Sequence, residues 1–246
     1  MNEAIDGWVE KSIVKTHGNL YRGRPLTRYP IPAFPLGPGE GRSLLDVGCN
    51  WGRWTVAATR AGYRATGVDS KEKAVAAAQR VAGQLGIEAD YVVGDARHLP
   101  FPDDSFDLVF SYSVLQHLSK GDAGLAVAEI GRVLRRGGTA WIEMPNARGL
   151  LNVLRRAGRG FAEGSGFDVR YWTLAELRET FSTIGDVELL ADGFLTLNPQ
   201  PTDLDLLRPR HRPVVRLSEA LRRASARAPF LVRFADSVTV RVVADA

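Results

Sequence analysis

Cysteine and long apolar runs are both scarce in this sequence of 246 residues. Cys49 is its single cysteine, which excludes an internal disulfide and a zinc site built from several cysteines. A membrane-spanning helix needs about 20 consecutive apolar residues, and no stretch approaches that length. The amino-terminal segment contains acidic residues and no continuous apolar core, so it does not resemble a secretory signal. We therefore expect a soluble, cytoplasmic protein with no metal site and no membrane partner.

The formal net charge of +4 is spread unevenly along the chain. Residues 145–170 carry a net charge of +3 and residues 200–246 a net charge of +4, so the remainder is mildly acidic. Arginine-rich segments of this kind are more often a solvated surface than a binding site, and we favour that interpretation. The alternative is an acidic partner, either a small molecule or a nucleic acid.

Short β-branched runs alternate with longer segments of helical periodicity, which is typical of a parallel sheet covered by helices on both faces. A Thr-x-x-Glu capping box at Thr173 and Glu176 marks the start of one helix. Glycines predicted to end helices are Gly62, Gly86, Gly137 and Gly185. The predicted strands are 43–47, 64–69, 89–94, 106–111, 139–143, 186–191 and 237–243, and the predicted helices are 53–61, 71–85, 123–135 and 174–184. This pattern predicts an α/β fold with a seven-stranded, mostly parallel, Rossmann-like sheet.

Prolines separate an amino-terminal helical segment from the sheet, which indicates an extended connector; they are Pro25, Pro30, Pro32, Pro35 and Pro38. We expect residues 1–39 to form a helical lid and residues 40–246 one domain. Two inserts, 145–170 near the fifth strand and 192–236 between the last two strands, are expected on the substrate side, where loops usually select the substrate. Aromatic residues that could line a pocket there are Phe161, Phe167, Tyr171, Trp172 and Phe194.

Three carboxylates lie at or near the ends of successive apolar runs: Asp46 in LLDVGCNWG, Asp69 in RATGVDS and Asp95 in ADYVVGDA. Right-handed crossovers bring the carboxyl ends of parallel strands to one edge of the sheet. A glycine turn there can hold an anion at a helix start, and an acid on the next strand can accept a ribose diol. The third acid lies where an adenine amino group would need an acceptor. The pattern suggests an adenosyl cofactor that carries a carboxylate.

The turn after the first predicted strand has the sequence Gly48-Cys49-Asn50-Trp51-Gly52. We expect Gly48 to let the backbone approach a ligand closely and Gly52 to let the next helix begin tight against the strand. Asn50 can adopt the left-handed conformation that glycine often takes. A nicotinamide oxidoreductase is disfavoured, because its Gly-x-Gly-x-x-Gly turn needs glycine at position 50 and leaves Asp95 without a role.

These motifs together resemble a known family. LLDVGCNWG resembles the first motif of class I S-adenosylmethionine-dependent methyltransferases, with Asn50 in place of the usual middle glycine. ATGVDSKEKAVAAAQ, GDARHLPFPDDSFDLVFSYSVLQHL and EIGRVLRRGGTAWIEMPN are similar to the segments that follow it. The resemblance covers about residues 40–190 and is greatest to the type-11 methyltransferases, which act on small molecules. It implies methyl transfer from S-adenosyl-L-methionine to a small acceptor, with nitrogen, oxygen and carbon all open.

The resemblance implies a role for each residue at the carboxyl edge. The Gly48 and Cys49 backbone would face the methionyl end, Asp95 and the Ala96 backbone would take adenine, and Ser111 would lie under the sulfonium. Asp46 would orient the turn, and Asp69 would take both ribose hydroxyls. An N-terminal helix cap is the alternative role for Asp69, but by residue type Ser70 can cap the following helix instead. The implied cofactor-binding residues are therefore Asp46, Gly48, Cys49, Asn50, Asp69, Ser70, Asp95, Ala96 and Ser111.

Methyl transfer from a sulfonium requires alignment and exclusion of water more than acid–base groups. An alcohol or phenol would nevertheless benefit from a base, and by family analogy the candidates nearest the methyl group are His117 and Tyr112. A structural role for His117 is the favoured alternative. A nucleic-acid-directed methyltransferase or binding module is the other alternative, but the fourth strand ends Ser-Tyr-Ser-Val and not in an Asn/Asp-Pro-Pro-aromatic motif.

Overall fold

Seven strands form one sheet in the computed structural model, which describes residues 5–16, 21, 26–162, 164–195 and 200–245. The strands are β1 (Ser43–Val47), β2 (Arg64–Asp69), β3 (Asp90–Val93), β4 (Phe106–Tyr112), β5 (Leu134–Pro145), β6 (Gly185–Gly193) and β7 (Ser237–Ala244). Their order across the sheet is β3-β2-β1-β4-β5-β7-β6, and β7 alone runs antiparallel to both neighbours. The predicted seven-stranded, mostly parallel sheet is confirmed.

Helices cover both faces of this sheet. They are α1 (Gly7–Thr16), α2 (Arg53–Arg60), α3 (Glu72–Leu85), α4 (Lys120–Val133), α5 (Leu150–Gly158), α6 (Leu174–Phe181) and α7 (Arg212–Ser225). One core contains the buried side chains of α4 and α6, and the other contains those of α1, α2 and α3. Successive residues of β1 divide between the cores, with Leu45 in the first and Leu44 in the second, as the two-residue period of a strand requires.

Local signals in the sequence account for most helix ends. The Thr173–Glu176 capping box forms with both of its hydrogen bonds and begins α6. Gly86 follows α3 in the left-handed conformation, as predicted. The predicted end of α4 is wrong, because the helix stops at Val133 and Leu134 already pairs with Phe106 in the sheet.

Two of the predicted helix-ending glycines are part of strands. Gly137 lies inside β5, with φ +69°, and does not end α4. Gly185 is the first residue of β6, four positions beyond the end of α6 at Phe181. In both cases strand pairing begins earlier than the apolar pattern indicates.

The amino-terminal helix α1 packs on α3. Val9 and Ile13 are fully buried in the second core together with Tyr21, whereas Trp8 is 42% exposed beneath the Arg80 guanidinium. From residue 26 to residue 42 the connector has no helix or strand, as its prolines predict. Pro25 lies outside the described residues, and the lid role of residues 1–39 stays a prediction.

The inserts contain their own helices, α5 in residues 145–170 and α7 in residues 192–236. Of their aromatic residues, Trp172 and Phe194 are buried in the first core, whereas Phe161 and Phe167 are exposed. Across the described ranges, no helix combines the length and the apolar character needed to cross a membrane. The same ranges hold no group of three or more side chains suited to a metal ion.

Candidate active site

The turn after β1 is closed by its own backbone. The N–H groups of Gly48 and Cys49 both donate to the Val68 carbonyl, at 2.7 and 3.0 Å. Gly48 has φ +76°, and a Cβ atom there would lie 2.3 Å from the Val114 side chain. The close approach that Gly48 permits in the structure is to Val114, and the role of the Gly48 and Cys49 backbone at the methionyl end stays a prediction.

Asn50 and Asp69 join this turn to the start of α3. Asn50 adopts the predicted left-handed conformation, with φ +50°, and its N–H donates to Asp69 Oδ2 at 3.0 Å. Asp69 Oδ1 accepts the N–H of Lys71 at 3.0 Å. A carboxylate can accept about four hydrogen bonds, so the half-buried Asp69 retains acceptor capacity for a ligand. The predicted cap at Ser70 is wrong, because Lys71 is the N-cap residue of α3 and Ser70 is exposed.

Asp46 connects β1 to α2 from inside the core. Its Oδ2 accepts a 2.7 Å hydrogen bond from the Thr55 hydroxyl, and the residue is 1% exposed. Burial raises the pKa of Asp46 to about 7, against the opposing hydrogen bonds from Thr55. Cys49 is buried beside Gly67 of β2, and this burial, with the nearby charges of Asp46 and Asp69, raises the pKa of its thiol. Asp46 and Cys49 are therefore buried residues that pack inside the protein at the turn.

Asp95 is paired with Arg97, a residue to which the sequence analysis assigns no role. The Arg97 Nη2 atom lies 2.6 Å from Asp95 Oδ2, and the Arg97 N–H donates to Asp95 Oδ1 at 2.9 Å. Hydrogen bonding from Arg97 lowers the pKa of Asp95 despite some burial. Arg97 also contacts Asp122 at 3.1 Å, and Ala96 packs on the first core. An adenine amino group would have to share the Asp95 carboxylate with this guanidinium.

Ser111 and Tyr112 end β4 with their hydroxyl groups already bonded. The buried Ser111 hydroxyl donates to the Val47 carbonyl at 2.9 Å. Tyr112 donates to Asp192 Oδ2 at 2.9 Å and accepts a 3.1 Å hydrogen bond from the Gln200 amide. Burial, together with the charge of Asp192, raises the pKa of Tyr112. The Tyr112 hydroxyl is thus both a hydrogen-bond donor and an acceptor within the protein, and its role as a base stays a prediction.

Beside Tyr112 lie two carboxyl groups, those of the buried Glu143 and the half-buried Asp192. Glu143 is 3% exposed and accepts a 2.6 Å hydrogen bond from Ser113, while Asp192 also accepts one from Ser237 at 3.1 Å. Burial raises the pKa of both carboxyls, and the Asp192 charge raises that of Glu143 further. The pair therefore holds protons more tightly than exposed carboxyls do. Only the fold brings β5 and β6 residues together here, so the sequence gives no local signal for the pair.

A buried ion pair ties α2 to the second insert. Arg53 Nη2 lies 2.6 Å from Asp203 Oδ2, with side chains that are only 5% and 0% exposed. The N–H of Gln200 donates to the same Asp203 oxygen at 3.0 Å. Because Gln200 also contacts Tyr112, this part of the second insert is fixed to both α2 and β4.

His117 lies in the loop after β4, within reach of the first insert. Its Nδ1 atom is 3.0 Å from the Phe167 carbonyl oxygen, and its ring stacks on the Phe167 ring with centroids 4.1 Å apart. Burial is the main cause that lowers the pKa of His117. A neutral imidazole at this position donates from Nδ1 to the carbonyl, which leaves Nε2 as the basic atom. The Gln116 amide nitrogen approaches Nε2 at 3.4 Å.

Comparison with known proteins shows what this edge of the sheet is similar to. Residues 45–142 match the family model described as a methyltransferase domain. A ubiquinone biosynthesis O-methyltransferase of Paramagnetospirillum magneticum is 36% identical over 113 residues, which cover 42% of this chain and 45% of that protein. Residues 45–142 are therefore similar to a methyltransferase domain. The chain spans about half the length of the curated relatives it matches.

Solved structures share the fold of this methyltransferase domain. The YcgJ protein of Bacillus subtilis superimposes with a TM-score of 0.58 at 21% identity, covering 86% of this chain and 94% of that one. Magnesium protoporphyrin IX methyltransferase of Synechocystis PCC 6803, solved with bound S-adenosylhomocysteine, gives a TM-score of 0.54 at 18% identity, with coverage of 83% and 75%. The sequence-predicted site residues all lie within the matched range, whereas Glu143, Phe167 and Asp192 lie outside it.

Proposed function

We propose that this protein transfers a methyl group from S-adenosyl-L-methionine to a hydroxyl group of a small organic acceptor. The proposal depends on the carboxyl edge of the sheet, which lies within the residues that match the methyltransferase family model. There Asp69 accepts hydrogen bonds from the turn after β1 and from the start of α3. The roles given below to single residues are part of the proposal.

The donor set at this edge fits an adenosyl cofactor. Asp69 offers two carboxylate oxygens to a ribose diol, which favours charge-assisted hydrogen bonds. Asp95 offers the next carboxylate along the edge, since β3 pairs with β2 and the Gly94 N–H donates to the Asp69 carbonyl. Bound S-adenosylmethionine supplies a methyl group on a good leaving group. The protein's contribution is to hold, align and dry the reacting groups.

Two observations support oxygen as the atom that is methylated. Curated relatives at 30–36% identity are named as O-methyltransferases of ubiquinone biosynthesis. His117 is held neutral by burial, so it can accept a proton from an acceptor hydroxyl near neutral pH. A hydroxyl gains more from such a base than an amine that is already unprotonated.

The nucleic-acid alternative has less support in the structure. Several arginines of the second basic segment are paired within the protein: Arg222 and Arg223 with Glu219, and Arg241 with Glu188. Paired arginines leave less free charge for phosphates. This pattern fits the solvated surface that the sequence analysis favours.

Mass spectrometry with methyl-labelled S-adenosylmethionine tests the proposal. The protein is incubated with phenols, catechols and matched aryl amines, and we expect labelled methyl ethers from the hydroxyl compounds. Replacing His117→Gln should lower this rate by about 10²-fold or more, the usual contribution of a general base. The exposed His98→Gln is the matched control and should leave the rate within about twofold. Labelled amines without labelled ethers would contradict the proposed acceptor.

A further inference from the structure

One loop of the first insert crosses the carboxyl edge of the sheet. Its Phe167 ring stacks on His117, which follows β4, and lies 4.8 Å from the Lys71 ammonium, which follows β2. Strand β1 lies between β2 and β4 in the sheet. The Phe167 ring therefore bridges the two sides of the turn that follows β1. We call residues 164–170 the bridging loop.

The bridging loop is fastened to the backbone around His117. The Arg170 N–H donates to the Gln116 carbonyl at 2.9 Å, and Arg170 Nη1 donates to the His117 carbonyl at 2.8 Å. The same Nη1 atom lies 3.1 Å from the Gly166 carbonyl and 3.2 Å from that of Asp168. One guanidinium therefore joins the loop to the His117 backbone, while the Phe167 carbonyl itself bonds to the His117 ring.

We propose that the bridging loop positions His117 as the base, by holding the Phe167 carbonyl as the acceptor for Nδ1–H. The inference rests on the proposed function and adds Phe167, from the first insert, to the residues that support catalysis. With the proton kept on Nδ1, the lone pair is on Nε2. The O–H bond of the methyl acceptor breaks and its proton goes to Nε2. The resulting imidazolium then releases a proton to water. Phe167 acts through His117 and is a positioning residue.

The charges around His117 favour this arrangement. Burial is the main cause that disfavours a positive charge on the ring, and the charges of Arg170 and Lys71 add to that effect. The Phe167 carbonyl and the Asp168 backbone act in the opposite sense, because they hydrogen-bond the protonated ring. Lys71 follows Asp69 by two residues and shares a hydrogen bond with it. The loop thus links the ribose end of the site to the base.

The proton position can be measured without any turnover. In protein labelled with nitrogen-15 histidine, the ring nitrogens of His117 are assigned by their loss in His117→Gln. We expect the Nδ1–H form in the wild type and a mixture of both forms in Phe167→Ala, because the ring no longer holds the carbonyl in place. Phe167→Tyr keeps the stacking ring and should restore the wild-type pattern. Phe230→Ala removes another exposed phenylalanine and should change nothing.

Kinetics provide the second readout. We expect Phe167→Ala to lower kcat about tenfold, part of the 10²- to 10⁴-fold that a base contributes, with a KM for S-adenosylmethionine within about twofold of wild type. The acid limb of kcat should move to higher pH, since exposure lets the His117 pKa rise. An Nε2–H form in the wild type, or an unchanged form in Phe167→Ala, would overturn the inference. If the wild type transfers no methyl group, the proposed function fails, and the labelled-histidine spectra still decide the position of the proton.

Discussion

The substitution Asp69→Asn should weaken cofactor binding without unfolding the protein. The carboxylate accepts the N–H groups of Asn50 and Lys71 at 3.0 Å each, and in the proposed complex it also accepts the ribose hydroxyls. An amide keeps the shape but has only one accepting atom. Hydrogen bonds to charged groups contribute roughly 1.5–3 kcal/mol. At 1.4 kcal/mol per factor of ten, the Kd for S-adenosylhomocysteine should rise roughly 10- to 150-fold.

Isothermal titration calorimetry with S-adenosylhomocysteine measures this change. Asp90→Asn is the matched control, because Asp90 is an exposed residue at the opposite end of β3. It carries the same chemical change and should leave the Kd within about twofold. An Asp69→Asn protein with unchanged affinity would refute the assignment of the ribose to this carboxylate.

Two further substitutions test the buried charges. Asp203→Ala leaves Arg53 without its partner in a site that is 5% exposed, so we expect a loss of about 3–5 kcal/mol in the free energy of unfolding, measured in urea. A loss below about 1 kcal/mol would show that the pair is not buried in solution. Burial raises the pKa values of Glu143 and Asp192 in the folded state. Their contribution to stability is therefore complete below the pKa values of the unfolded state, near about pH 4, and is lost as the pH rises through the pKa values of the folded state. In Glu143→Gln, the free energy of unfolding should therefore fall less steeply as the pH rises. At pH 8 we expect a gain of about 1 kcal/mol, which raises the Tm measured by calorimetry by about 2–4 °C. An equal or steeper fall than in the wild type would contradict the burial of Glu143.

The strands are the part of the fold that sequence patterns predict best. β1 and β2 have the predicted bounds, because their apolar runs are bordered by a turn glycine and an acid. β5 begins five residues earlier than predicted, at Leu134. The pattern around Gly137 resembles a helix end, and only pairing with β4 determines that the segment is a strand.

Short-range features of the site were also predictable. The left-handed Asn50 and the capping box at Thr173 follow from residue type and spacing alone. The partners of Asp95 and His117 differ in their distance along the sequence. Arg97 is two residues from Asp95 and gave a local signal, whereas Phe167 is 50 residues from His117 and reaches it only through the fold of the insert.

Contacts between distant segments account for the remaining differences. β4 extends one residue beyond its predicted end, to Tyr112, whose environment is set by Asp192 and Gln200 from beyond β5. The Tyr112 hydroxyl therefore bonds to residues that no local sequence pattern connects with it. Gly48 was predicted to allow a close approach, while the neighbour that approaches it, Val114, comes from a loop whose position the sequence does not specify.

Thermal unfolding with added ligand tests the central claim most directly, namely that the carboxyl edge of β1, β2 and β3 binds an adenosyl methyl donor. S-adenosylhomocysteine at a hundred times its Kd should add about 2.7 kcal/mol to the free energy of unfolding, and so raise the Tm by several degrees. NADH at the same concentration should leave the Tm unchanged. A Tm raised by NADH and unmoved by S-adenosylhomocysteine would contradict the account.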